Sequence, residues 1–171
     1  LNISGKSTGD IWQFTTELLE KKLVAHWNFN KGSGSIDFNR TGTRNYAHLI
    51  NMEDSSWICD GVVESALQFD GIDDYLRVDD HPLFNFSIRG FTFNCWIKKT
   101  QSKSAMTLVS KANYDNNTFG ARYEVFVGEN GSMNFLVSDG EKSSTVTAVD
   151  SRFNTNEWVM LSAIRDYSEH V

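Results

Sequence analysis

Proline is nearly missing from this 171-residue chain, with Pro82 the single instance. Cysteine is scarce too, at Cys59 and Cys95. Two cysteines cannot build the multi-bridge framework of a small secreted domain, and neither lies in a C-x-x-C unit. Cys95 sits in the run Phe91-Thr-Phe-Asn-Cys-Trp-Ile97, where alternation puts Phe91, Phe93, Cys95 and Ile97 on one face. The expectation is a buried free thiol rather than a 59–95 disulfide. No apolar stretch approaches the ~18 residues of a membrane-spanning helix. The opening Leu1 to Asp10 is polar and lacks the apolar centre of a signal peptide, which processing removes from secreted proteins. Basic residues are outnumbered, 16 Lys and Arg against 22 Asp and Glu, for a net charge of −6. Phosphate recognition needs the opposite balance, so nucleic acid is excluded as the main partner.

Aromatic residues are plentiful. They make up 13% of the chain, within a hydrophobic content of 40%, which supports a packed core and argues against disorder. The length fits one domain with a short appendage. The dominant signal is alternation with period two. It appears in Leu23–Phe29, Ser65–Phe69, Tyr75–Val78, Gly90–Lys98, Tyr123–Val127, Met133–Val137, Ser144–Val149 and Trp158–Ile164. Between these runs lie Gly32-Ser-Gly34, Asp70-Gly71, Asp115-Asn-Asn117, Glu129-Asn-Gly131 and Asp139-Gly140. Asn and Gly accept positive φ cheaply, so these are turns. Short strands at regular spacing read as an all-β sandwich or barrel. Glu17-Leu-Leu-Glu-Lys-Lys22 is the one helical candidate, too short to stand alone and read as a linker turn.

Two hairpins are expected. Asn130-Gly131 joins Tyr123–Val127 to Ser132–Val137, and Asp139-Gly140 pairs Met133–Val137 with Ser144–Val149. Such a meander forms one half of a sandwich. Residues 1–18 look different. Gly9-Asp-Ile-Trp-Gln-Phe-Thr-Thr16 resembles the last strand of fibronectin type III or immunoglobulin-like modules, the other reading being the domain's own extra first strand. The expected organisation is therefore 1–18 as that strand, 19–22 as linker and 23–171 as the main domain.

Four stretches carry a wider resemblance. They are Leu23-Val-Ala-His-Trp-Asn-Phe-Asn-Lys-Gly-Ser-Gly34, Ala66-Leu-Gln-Phe-Asp-Gly-Ile-Asp-Asp-Tyr-Leu-Arg-Val78, Phe91-Thr-Phe-Asn-Cys-Trp-Ile-Lys98, and the ordered pair Leu108-Val-Ser-Lys111 and Asn156-Glu-Trp-Val159. Together they resemble laminin-G-like (LamG) domains of the concanavalin A-like lectin/glucanase superfamily, over about residues 23–171. The resemblance implies an antiparallel β-sandwich of jelly-roll type. It also implies closing strands beyond Val171, so the expectation is a domain truncated at its C-terminus, with exposed sheet edges open to self-association.

The superfamily includes β-glucanases, whose Glu-x-Asp-x-(x)-Glu strand supplies two catalytic carboxylates. The nearest stretch here is Glu124-Val-Phe-Val-Gly-Glu129. Phe126 replaces the central Asp, and residues five apart fall on opposite faces of a regular strand. Both glutamates read as solvated, so no catalytic residue is assigned and no enzymatic activity is expected. His26, His48, His81 and His170 form no metal-binding spacing. Nor is there a G-x-S-x-G elbow or a phosphate loop.

Asp70-Gly-Ile-Asp-Asp74 places three carboxylates within five residues around Gly71. A hard cation such as Ca²⁺ takes six to eight oxygens. Asp70, Asp73 and Asp74 are the candidate ligands, with further donors from Asp37 and Asn39 or from Asp79 and Asp80, and the resemblance implies Ca²⁺ at the sandwich rim; a simple Asx turn is the alternative. Sugars pack their C–H faces on aromatic rings, and amides meet their hydroxyls. Trp27 and Phe29 align with Leu23 and Ala25 as core. Trp96 points opposite Cys95, and Trp57 and Tyr114 fall in turn-rich segments. Asn116 and Asn117 lie in the polar connection Lys111–Gly120. The candidate glycan residues are therefore Trp57, Trp96, Tyr114, Asn116 and Asn117. Sequons at Asn2, Asn39, Asn85, Asn116 and Asn130 are compatible with glycosylated secretion. The resulting expectation is a non-catalytic carbohydrate-binding or adhesion module of an extracellular, cell-surface or virion protein. It binds a glycan or glycoprotein and does not insert in a membrane. The alternatives are a spacer or protein-interaction domain and a β-glucanase-type hydrolase.

Overall fold

The computed structural model describes residues 23–86, 90–99, 105–115, 118–128, 131–149 and 156–166. The strands are β1 (Ile36–Asp37), β2 (Ala47–Ile50), β3 (Trp57–Ile58), β4 (Ala66–Leu67), β5 (Tyr75–Val78), β6 (Phe91–Lys98), β7 (Met106–Asp115), β8 (Thr118–Val127), β9 (Met133–Asp139), β10 (Ser143–Ala148) and β11 (Trp158–Arg165). Helix is limited, among the described residues, to single 3-10 turns at Asp54–Ser56 and Pro82–Phe84. Pro82 opens the second turn, where its fixed φ and missing amide cost nothing. The chain is an antiparallel β-sandwich of jelly-roll type, and every pairing between its strands is antiparallel.

Two layers enclose the core. One is the sheet β10-β9-β8-β7, the other the pair β11-β6. Alternation selects the facing residues: Val125 and Val127 of β8, Met133 and Phe135 of β9, and Met106 and Leu108 of β7 meet Phe93, Ile97, Leu161 and Ala163 of the opposite layer. At one end the Phe91 ring stacks on Phe86 at 4.4 Å and meets Tyr123 at 5.1 Å and Phe135 at 5.8 Å. Each such pair is worth roughly 0.5–1.5 kcal/mol beyond the area it buries. Smaller sheets, β1-β2-β5 and β3-β4, carry the first part of the chain.

Both expected hairpins form. Val127 faces Met133 across the first, and Gly131 takes φ +79° with its amide on the Gly128 carbonyl. Ser144 faces Val137 and Ala148 faces Met133 in the second. There Gly140 takes φ +102° at the first of two loop positions, as a tight hairpin turn requires.

Two expectations about the backbone fail. Leu23–Phe29 is not a strand. The Oδ1 of Asn39 accepts the His26 amide at 2.9 Å and the Oδ2 of Asp37 accepts the Phe29 amide at 3.1 Å, so side chains satisfy the groups a ladder would use. Phe29 also sits at φ +53°, which breaks an extended run. Trp27 and Phe29 are half-buried rather than core. Second, Lys111–Gly120 is not a long loop, because β7 runs to Asp115 and β8 starts at Thr118, with Tyr114 opposite Phe119. The expected linker turn at 17–22 and the strand-like run at 9–16 lie outside the described residues.

Candidate functional site

The outward face of the β6–β11 pair carries an exposed tryptophan, Trp96. Its rows are Thr92, Asn94, Trp96 and Lys98 on β6, directly opposite Ile164, Ser162, Met160 and Trp158 on β11. Alternation of apolar residues on β6 sends Phe91, Phe93, Cys95 and Ile97 inward, so Trp96 must point out. Its exposure is 50%, with Met160 at 47% and Ile164 at 63%. Trp96 and Trp158 are diagonal neighbours on this face of the ladder.

Polar groups frame this platform. The Ser162 hydroxyl donates to Asn94 Oδ1, and the Asn94 side-chain NH₂ adds donors to this face. Lys98 Nζ lies 2.6 Å from Asp60 Oδ2 and 6.0 Å from the Trp158 ring centroid. The Trp158 indole N–H donates to the Asp60 carbonyl at 3.0 Å. Asp60 thus fixes both the cation and the second tryptophan. Trp96 is legible in the sequence, whereas Trp158, Met160 and Asp60 are not, because only the β6–β11 register brings them together; the alternation in Trp158–Ile164 is the available signal.

The acidic turn forms as expected. One carboxylate oxygen from each of Asp70, Asp73 and Asp74 lies within 4.8 Å of the others. Gly71 at φ +78° makes the bend. Asp70 Oδ1 accepts the Ile72 and Asp73 amides at 2.8 and 3.3 Å, and Asp74 Oδ2 accepts the Asp70 amide at 2.9 Å. The Asn51 side chain reaches the Asp73 carbonyl and carboxylate from β2's end. The Ile72 amide first, then the amides of Asp73 and Asp74, hold the Asp70 carboxyl below its ordinary range against the opposing effect of desolvation. The donor set suits a hard divalent cation and supplies three of the six to eight oxygens that Ca²⁺ takes.

Asp37 and Asn39 do not join it, which corrects their expected role. Asp37 is fully buried, with Oδ2 on the Phe29 amide and Oδ1 3.9 Å from the Arg40 guanidinium. Asn39, 6% exposed, ties the His26 and Thr41 amides and donates to Thr43 Oγ1 at 2.6 Å. Burial also removes Asn39 from the accessible sequons.

Trp57 is likewise corrected from a glycan candidate to a core residue. It is 8% exposed, and its indole N–H donates to the Gly34 carbonyl at 3.0 Å. Tyr114 lies in β7. Asn116 and Asn117 lie outside the described residues, as does Glu129. Glu124 accepts from Thr107 Oγ1 at 3.1 Å in a shallow cleft of about 320 Å³ on the outer face of β7–β9, beside Arg122, Phe126 and Leu136. Among the described residues it is the one carboxylate lining that cleft.

No curated protein matches the chain. Among solved structures it is similar to the S-layer domain-containing protein, residues 221–444, from Clostridium thermocellum ATCC 27405, with 17% identity and a TM-score of 0.55. That match covers 74% of this chain and 57% of the other, so the chain spans just over half the length of that structure. At this identity the likeness is one of fold. Residues 70–171 match the Laminin_G_3 family, and the chain belongs to the concanavalin A-like lectin/glucanases superfamily.

Proposed function

We propose that this chain is a non-catalytic recognition module of a larger extracellular or cell-surface protein, and that it holds a glycan or glycoprotein on the outer face of the β6–β11 pair. The observation that carries this reading is the half-exposed Trp96 ring, flanked by Met160 across the ladder and by Asn94, Ser162 and the Lys98–Asp60 pair. An apolar ring with donors and acceptors at its rim is what a sugar's C–H face and hydroxyls require. That the structural neighbour is an S-layer domain-containing protein fits a cell-surface setting. Among the described residues no helix is long and apolar enough to cross a membrane.

Glycoside hydrolysis uses two carboxylates on either side of the scissile bond. Among the described residues Glu124 has no second carboxylate beside it in its cleft, which supports a binding role instead. Ca²⁺ on Asp70, Asp73 and Asp74 belongs to the same proposal, where it would stiffen the turn before β5. The fold itself hosts many activities and does not choose among them.

A glycan array probed with the 171-residue chain and its Trp96→Ala variant tests the reading. The expected result is binding to a defined glycan set, weakened at least about tenfold in the variant. A silent array from folded protein overturns it in favour of a spacer domain. Reducing-sugar release from β-glucan that disappears in Glu124→Gln overturns it in favour of a hydrolase.

A further inference from the structure

We infer that the open edge of β10 is a homodimer seam, where two copies pair their β10 strands antiparallel about a two-fold axis with Val146 opposite the partner's Val146. Among the described residues β10 ends the order β10-β9-β8-β7, and all six of its residues are exposed although β9 flanks one side.

The hairpin turn determines which backbone groups face outward. The Asp139 amide donates to the Lys142 carbonyl at 3.1 Å, so these residues are a hydrogen-bonded pair. Bonded and non-bonded pairs alternate along an antiparallel ladder. Val137/Ser144, Phe135/Val146 and Met133/Ala148 are therefore bonded pairs. It follows that the N–H and C=O groups of Ser143, Thr145 and Thr147 turn away from β9, towards the open side. Such a row is a template for another strand, and natural edges guard it with charge, proline or a bulge. The sequence Ser143-Ser-Thr-Val-Thr-Ala148 has no charge or proline, and its register with β9 runs without a shift.

Side chains restrict the occupant further. Val146 stands opposite Phe135, which packs on the core, so Val146 lies on the inner face of its sheet. It is nevertheless 67% exposed. The occupant must bring an extended backbone and an apolar residue at that level. A second β10 brings both. With Val146 on the two-fold axis the two valines form a non-bonded pair, the kind with the closest side chains. Thr145 then faces the partner's Thr147. Both carry outward-facing N–H and C=O groups, as the bonded pair at that position requires. No charge enters the ladder, and the patch complements itself, which an isologous interface demands. Two four-stranded sheets become one of eight strands. This inference is independent of the glycan reading.

Sedimentation equilibrium of the 171-residue chain tests it. The expected result is a concentration-dependent dimer. Val146→Lys, which sets like charges on the axis, weakens it at least about tenfold. So does Thr145→Pro, which removes a donor pointing off the sheet and spares the bonds to β9. In a Cys59→Ser background, the thiols of Val146→Cys join under mild oxidation while those of Ser144→Cys do not. A chain that stays monomeric at high concentration overturns the proposal. A dimer indifferent to both substitutions, or one whose Val146→Cys thiols fail to join, also overturns it.

Discussion

The Asn39 side chain stands where a neighbouring strand would be for His26: its Oδ1 accepts the His26 amide at 2.9 Å and the Thr41 amide at 3.1 Å. Buried donors left without such an acceptor cost about 1–3 kcal/mol. Asn39→Ala is expected to lower stability by that amount in urea unfolding, and Asn39→Asp, which keeps an acceptor, by less. Equal midpoints for wild type and Asn39→Ala would remove this tether from the account.

Two tryptophans should respond in opposite ways. Trp57 is buried and hydrogen-bonded to Gly34, whereas Trp96 is half exposed. Trp57→Ala is expected to cost about 3–5 kcal/mol through the cavity it leaves. Trp96→Ala is expected to cost under about 1 kcal/mol while weakening glycan capture at least about tenfold. Denaturant curves on both variants separate packing from recognition.

The two thiols differ in the same sense. Cys59 is exposed, and burial pushes the Cys95 thiol up to about 12. Attack on a disulfide reagent needs the thiolate. Native protein at neutral pH should titrate one thiol with an aromatic disulfide reagent, and unfolded protein two. Fast reaction of both in the native state would contradict the inward face of β6.

Acid should loosen the β9–β10 turn. The Asp139 carboxylate accepts the Lys142 amide at 2.7 Å and the Glu141 amide at 2.9 Å, and these bonds hold it below its ordinary 3.8. The folded state therefore binds the proton less tightly than the unfolded chain. The stabilisation is complete above that ordinary value and is lost as pH falls through the lower folded-state one. The Tm gap between wild type and Asp139→Ala should be widest near neutrality and narrow below pH 3.8. A gap independent of pH would assign the effect to something other than the charge.

Calcium titration by calorimetry examines the acidic turn. Three carboxylates, exposed at Asp70 and Asp73 and half-buried at Asp74, with water completing the shell resemble weak extracellular sites, with Kd on the order of 10⁻⁴–10⁻³ M. Heat is expected from wild type, absent in Asp73→Ala and retained in Asn39→Ala. No heat from wild type at millimolar Ca²⁺ would leave Asp70–Asp74 as a turn alone.

Much of the later half was legible because its signals are local. Alternation in Phe91–Ile97 sets inside against outside by the pleat, and the turns at Gly131 and Gly140 place consecutive strands side by side. Asp70, Asp73 and Asp74 could be grouped because five residues around a glycine cannot spread far. Leu23–Phe29 misled because its alternation matches a strand, while the partners of His26 and Phe29 are side chains more than a hairpin turn away. Trp57 misled because turn-rich surroundings do not reveal what lies beneath them.

The amino-acid order determined the β class, the two hairpins, the outward direction of Trp96 and the convergence of the acidic turn, all consequences of a period-two backbone and positive-φ turns. The tertiary structure alone decided that Trp158 and Met160 stand beside Trp96, that Asp37 and Asn39 hold backbone rather than gather at the acidic turn, and that β10 lies at an edge among the described residues. Those outcomes depend on pairings between residues as many as 98 positions apart, as in the bond from Trp158 to Asp60. Long-range register follows from how whole faces pack, and a local pattern carries no trace of it.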